Sequence, residues 1–286
     1  MKYNISKNWV ASLDFIRSKP IVLLPFIYIA FLESLALEVI FFSTQDPLMH
    51  IFRPVIKKFF GEAFLHYPAH LVILPRLFYY AQVVIYVFFG VFLAAIALNI
   101  FKNVRAGLPI KLKALTRNAS HRYVEYFLYA IILTVCLFMF KKLDSFLYIK
   151  MARHVSHLFP RLIPIVYGIG LTIVLFISNV ILETFLILAL PFMVMFDMGL
   201  LKALGRSIIT GGRNFLTVFS LILLPLLIYL PIAVLKSSSS ELINKLFPEI
   251  SACICAAGIV AAVFVDCFLV ICAAQFLLDR KAATKK

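Results

Sequence analysis

Residues 250–278 read ISACICAAGIVAAVFVDCFLVICAAQFLL, with one charge, Asp266, and one amide, Gln275. A hydrocarbon core about 30 Å thick takes ~20 apolar residues in a helix that rises ~1.5 Å per residue. This run exceeds that length. In lipid the backbone must satisfy its own hydrogen bonds, so the run is a helix. Five further runs obey the same rule upstream, at 20–43, 71–100, 124–140, 162–196 and 214–236. The run at 124–140 is short and borrows Tyr123 or Lys141 at its edges.

Composition agrees. Apolar residues make up 63% of the chain and charged residues 14%, with a mean hydropathy of +1.02. A soluble domain has roughly 45–50% apolar and ~25% charged residues. The expected fold is therefore all-α. It is a polytopic membrane protein with six transmembrane helices in three related hairpins, plus interfacial amphipathic helices. The loops are too short to fold separately, so residues 1–286 form a single membrane domain ending in a basic tail, 279–286.

The net charge of +15 comes from 28 Lys+Arg against 13 Asp+Glu. These cations flank the apolar runs, where they meet anionic headgroups and set orientation. No basic stripe interleaved with stacking aromatics stands outside the spans, so nucleic acid is not an expected partner. With six spans both termini share a side. That side carries seventeen Lys+Arg and the other carries ten, with Arg76 inside a run. The positive-inside rule then puts both termini in the cytoplasm.

Amphipathic stripes connect the spans. Ile5, Trp9, Leu13 and Ile16 line one face of an N-terminal helix that Pro20 ends. Leu48, Ile51, Phe52, Val55, Ile56, Phe59 and Phe60 line an outer helix. A third stripe runs Leu143, Leu147, Met151, Val155 and Leu158. On the terminal side, Lys113-Ala-Leu-Thr-Arg117 precedes the third span and Lys202-Ala-Leu-Gly-Arg206 the fifth. Leu112, Leu115 and Ala119 are the expected packing stripe of the first, and Leu200, Leu204 and Ile208 that of the second. The chain thus parses into three units of amphipathic helix, span, outer segment and span, at roughly 3–100, 109–196 and 198–278.

The stretch from Pro191 through Asp197, Ala203-Leu-Gly-Arg206-Ser207 and Gly211-Gly212-Arg-Asn214-Phe215 resembles a signature of six-span bacterial membrane families. There a proline-ended span is followed by an acidic residue, an A-L-x-x-S helix and a G-x-x-x-F entry to the next span. They include the YciC-like proteins and the membrane domain found beside glycerophosphodiester phosphodiesterases. The resemblance implies the six-span architecture and no reaction.

Ionisable and polar residues inside spans are the functional candidates. Glu33 lies mid-way along the first. Asn179 and Glu183 share a face of the fourth at i, i+4. Asp266 is central in the sixth. A carboxylate at the bilayer centre costs ~2.5 kcal/mol or more, which favours the neutral acid. Such acids titrate protons or bind a polar substrate, or they hydrogen-bond to neighbouring helices and fix packing. Glu38 and Arg76 stand at matching outer depths and form a candidate ion pair. The histidines lie outside the runs, without the carboxylates that would complete a metal site. The five cysteines, Cys136, Cys253, Cys255, Cys267 and Cys272, read as small packing residues. The sequence has no H-E-x-x-H, G-x-S-x-G or P-loop signature, so neither cofactor nor metal nor enzymatic activity is expected. The expected function is non-enzymatic. The chain scaffolds, assembles or assists transport of lipid or envelope components, with membrane lipids and other membrane subunits as partners. The alternative is a proton-coupled transporter built on the buried carboxylates.

Overall fold

The computed structural model describes residues 5–156 and 170–283, and within these every regular element is helical. The elements are α1 Ile5–Ser18, α2 Leu24–Phe41, α3 Leu48–Phe59, α4 Ala69–Ile85, α5 Val91–Arg105, α6 Leu112–Ser120, α7 Tyr123–Ser156, α8 Leu171–Leu186, α9 Ala189–Met195, α10 Leu200–Arg213, α11 Phe215–Leu226, α12 Tyr229–Ser237, α13 Ser239–Lys245 and α14 Ile250–Ala283. Among the described residues five stretches are long and apolar enough to cross a membrane: Pro20–Phe41, Ala69–Arg105, Tyr123–Leu143, Ile173–Met195 and Ile250–Arg280. The protein is an all-α, multi-pass membrane protein.

A sixth crossing qualifies only as a broken one. α10 and α11 meet at a 96° bend. α10 carries Lys202, Arg206 and Arg213, so it suits the interface rather than the hydrocarbon. The apolar run expected at 214–236 is itself divided. α11 ends at Leu226, and α12 begins at Tyr229, with Leu227 and Ile228 between them. Pro225 and Pro231 sit at this break, where each removes an N–H donor. Both halves pack along α8 and α14. Neither alone spans the hydrocarbon, but residues 215–237 in sequence reach about 34 Å.

The third span differs from expectation in the other direction. It does not stop at Phe140. α7 runs without a break from Tyr123 to Ser156, so the stripe at Leu143–Val155 continues the same helix. Leu158, the stripe's last member, lies outside the described residues.

Among the described residues two main cores hold the bundle, with a small third one under α3. The larger gathers α1, α2, α5–α12 and α14 towards the terminal end, around Phe101, Leu98, Met193, Ile271 and Phe276. The smaller, at the opposite end, joins α2, α4, α13 and α14 through Leu37, Leu74, Phe78 and Ile259. Phe15 meets Phe101 edge-on with ring centroids 4.8 Å apart, which pins α1 beneath α5. α1 also packs on the end of α14, α6 on the end of α5, and α10 on α8 and α9. α1, α6 and α10 therefore all lie at one end of the bundle. In α3, Ile56 is fully buried against Leu65 and Ile73 while Ile51 and Phe59 are exposed, so only one edge of its wide apolar face meets protein.

The residues that carry the family-like signature have a mechanical role. Ala203, Ser207 and Gly211 form the buried line of α10, and Ser207 Oγ donates to Phe185 O at 2.6 Å. A Cβ at Gly211 would stand 2.5 Å from Thr184 O. Small residues thus let α10 and α8 touch backbone to backbone, and Phe215 follows with its ring 5.9 Å from that of Phe185. Of the expected stripe, Leu200 and Leu204 pack partly buried against the larger core, whereas Ile208 is 49% exposed. Close backbone approach selects small side chains over large apolar ones.

Candidate functional site

Glu33 and Asp266 come together in the middle of the bundle. Glu33, on α2, is fully buried, and Gln82 Nε2 of α4 donates to its Oε1 at 3.0 Å. Asp266, on α14, accepts a hydrogen bond from the Tyr86 hydroxyl. Tyr86 stands where it does because of a local irregularity. Between α4 and α5 the chain makes a π-helical turn, Tyr86–Gly90, inside an otherwise continuous span. Such a turn changes the phase of the helix, and π turns occur often at functional positions. Gly90 makes room for it, since a Cβ there would lie 2.6 Å from Tyr86 Cδ1.

Glu33, Tyr86 and Asp266 line one pocket, closed by Phe26, Ile29, Ala30, Ala262 and Val263. Its accessible volume is ≈ 0 Å³, where a water molecule needs at least about 10–15 Å³. The acids therefore meet protein, not a channel of water. Glu183, from α8, is within electrostatic reach of Asp266 and of the Tyr129 and Tyr229 hydroxyls. Glu33 in turn feels Asp266 and Lys236. The Lys236 Nζ turns inward from α12, 5.6 Å from the centre of the Phe78 ring. Three of the four expected intramembrane residues thus share one interior. Glu33 Oε2 is buried without a hydrogen-bond partner. None of the described contacts links Asn179 to the group.

The expected outer pair of Glu38 and Arg76 is not formed. Arg76 lies over the Phe60 ring, 5.6 Å from its centroid, and near Lys141 of α7. Glu38 lines a separate apolar cavity of ≈ 360 Å³ between α2 and α14, with Leu37, Phe41, Ala256 and Ile259. Equal depth placed the two residues at one level, but their helix faces turn them to different neighbours. His70, expected outside the spans, is buried in the first turn of α4, 6.4 Å from the Phe41 ring. Among the described residues no cluster of His, Cys, Asp or Glu is arranged to hold a metal. All five cysteines are free thiols, and Cys255, Cys267 and Cys272 are buried.

Gln82, Tyr86 and Tyr229 were not among the residues expected from sequence. Gln82 had a signal, as an amide inside the 71–100 run with Tyr86 one turn later. Tyr229 had none beyond its place between two prolines.

A polar region lies at the terminal end. Lys102, in the last turn of α5, donates to Val194 O and to Asp197 Oδ2, both at 2.9 Å. Asp197 takes a left-handed φ of 51°, which Asp tolerates better than most residues and which turns the chain from α9 into α10. Arg122, just before α7, donates to Met193 O at 2.8 Å, to Met198 O and to Glu125. Burial alone would lower the Arg122 guanidinium pKa, but the Glu125 hydrogen bond and charge outweigh it and raise it. Arg105 donates to Gln275 Oε1 at 2.6 Å. Cations thus tie the ends of α5, α7, α9 and α14 together. No protein-family model matches the chain, and neither a curated protein nor a solved structure matches it.

Proposed function

We propose that the chain is a non-enzymatic protein of the bacterial inner membrane, with both termini cytoplasmic, that scaffolds or assists the handling of lipid or envelope components. The supporting observation is where the space lies. Glu33 and Asp266 sit in a pocket of ≈ 0 Å³. The roomy cavities, ≈ 360 and 320 Å³, open at opposite ends of the bundle's periphery, where lipid tails and headgroups are. Interfacial faces add to it: Leu201 and Ile209 of α10 are 81% and 61% exposed, as suits a helix lying in the headgroup layer. The test is extraction of the protein with its surrounding membrane in polymer discs. A lipid class enriched over the bulk membrane is expected. A composition equal to the bulk would overturn the proposal.

A proton-coupled transporter is favoured by one observation, the unpartnered Glu33 Oε2 beside Asp266. In that case a second conformation opens the pocket to water, and the acids exchange protons in step with a substrate.

A further inference from the structure

The polar region at the terminal end encloses a cavity of ≈ 320 Å³ among α5, α6, the start of α7 and the turn at Asp197. Its wall holds more hydrogen-bond donors than the protein uses. Lys102 has three N–H donors and spends them on Val194 O and Asp197, leaving one. Arg122 has five and spends three, leaving two. Asn103, Asn118 and His121 line the same cavity. Asn99 uses one of its amide hydrogens on Ala95 O. The acceptor side is thin. Asp197 is the one carboxylate lining the cavity, and its side chain is 76% exposed. Backbone carbonyls, which cannot move away, hold both cations in place. Such a wall is pre-organised for a compact ligand rich in acceptor oxygens.

We propose that this cavity binds a phosphoryl group, carried by a phospholipid headgroup or present as free phosphate. Lys102 and Arg122 supply charge, and Asn103, Asn118 and His121 supply further donors to the remaining oxygens. The depth fits, because the cavity lies at the ends of two spans, level with headgroups. The proposal rests on the lipid-handling function only for the source of the phosphate.

The test uses the full chain in a phosphate-free maltoside detergent. Native mass spectrometry measures retention of phosphatidylglycerol against diacylglycerol with the same chains, and thermal unfolding is followed with and without inorganic phosphate. The variant is Asn103→Asp with Asn118→Asp, which keeps shape and sets two carboxylates against the ligand. Like charges so placed repel the ligand, so binding should fall at least about tenfold while the unliganded melting temperature holds. His121→Glu, at an exposed position, is the second variant should the first not fold. Preferential retention of phosphatidylglycerol, lost in the variants, identifies a headgroup site. Stabilisation by inorganic phosphate alone, lost in the variants, keeps the site and ends the lipid-handling function. Binding of neither probe, or equal binding by wild type and a folded variant, overturns the proposal.

Discussion

Gly90→Ala tests whether the π turn exists to place Tyr86 on Asp266. On helix propensity alone, alanine would stabilise this position by up to ~1 kcal/mol. The geometry predicts the opposite. The new methyl would lie 2.6 Å from Tyr86 Cδ1 and 3.0 Å from Cγ, near the root of the side chain, so the whole ring must move. Overpacking of this kind costs ~1–3 kcal/mol. Moving the ring also breaks its bond to Asp266, and interhelical hydrogen bonds in membranes are worth ~0.6–2 kcal/mol. The expected net loss is ~1–4 kcal/mol. Tyr86→Phe alone should cost ~0.6–2 kcal/mol, for the bond and the stranded acid. In the Gly90→Ala background it should cost close to nothing, because the bond is already gone. The assay is thermal or denaturant unfolding of the four proteins in one detergent. A Gly90→Ala protein as stable as wild type, or strict additivity of the two changes, would refute this role for the turn.

Other outcomes follow from single contacts. Gly211→Ala should destabilise by ~1–3 kcal/mol, because its methyl meets the fixed Thr184 carbonyl; a neutral melting temperature would show that α8 and α10 are free to separate. Glu62 is hydrogen-bonded to Lys57 at 3.1 Å, and this contact lowers its pKa from 4.5. The pair's contribution is therefore complete above the ordinary carboxylate range and is lost as pH falls through the lowered value. A carbon-13 titration should show the Glu62 pKa rising in Lys57→Ala, and rising less in Arg53→Ala; no rise in Lys57→Ala would refute the pair. For topology, cysteine labels at His50 and Ser238 should react from outside the cell, and labels at Lys113 and Lys202 only after permeabilisation; the reverse pattern would invert the orientation.

Much of the architecture was legible because hydropathy is local. The runs at 20–43, 71–100 and 250–278 became spans nearly as read, since nothing but length and apolarity decides them. Where neighbours decide, the sequence was silent. The phase change at Tyr86–Gly90 leaves no local mark, because tyrosine and phenylalanine read as ordinary apolar positions. The Leu227–Ile228 break was foreshadowed by Pro225 and Pro231, but the 96° bend at Asn214 is a tertiary matter. Glu33, Glu183 and Asp266 stood out as acids in apolar runs. Their partners did not, because which helix faces which is not written in periodicity alone. The same gap produced the false pairing of Glu38 with Arg76. It also hid the contact line Ala203, Ser207 and Gly211 of α10, whose small size rather than hydropathy is what the crossing needs.

Whether the buried acids pack or carry protons is decided by proton flux in liposomes. Wild type, Glu33→Gln, Glu183→Gln and Asp266→Asn are reconstituted after their thermal stability is confirmed. An amide keeps the shape of the acid and still donates and accepts hydrogen bonds, but it cannot gain or lose a proton. A pocket without room for water predicts that all four proteins fold and that the liposomes show no flux that depends on the acids. A proton flux in wild type that the amides abolish, with stability intact, would contradict the packed-bundle function and establish the transporter in its place.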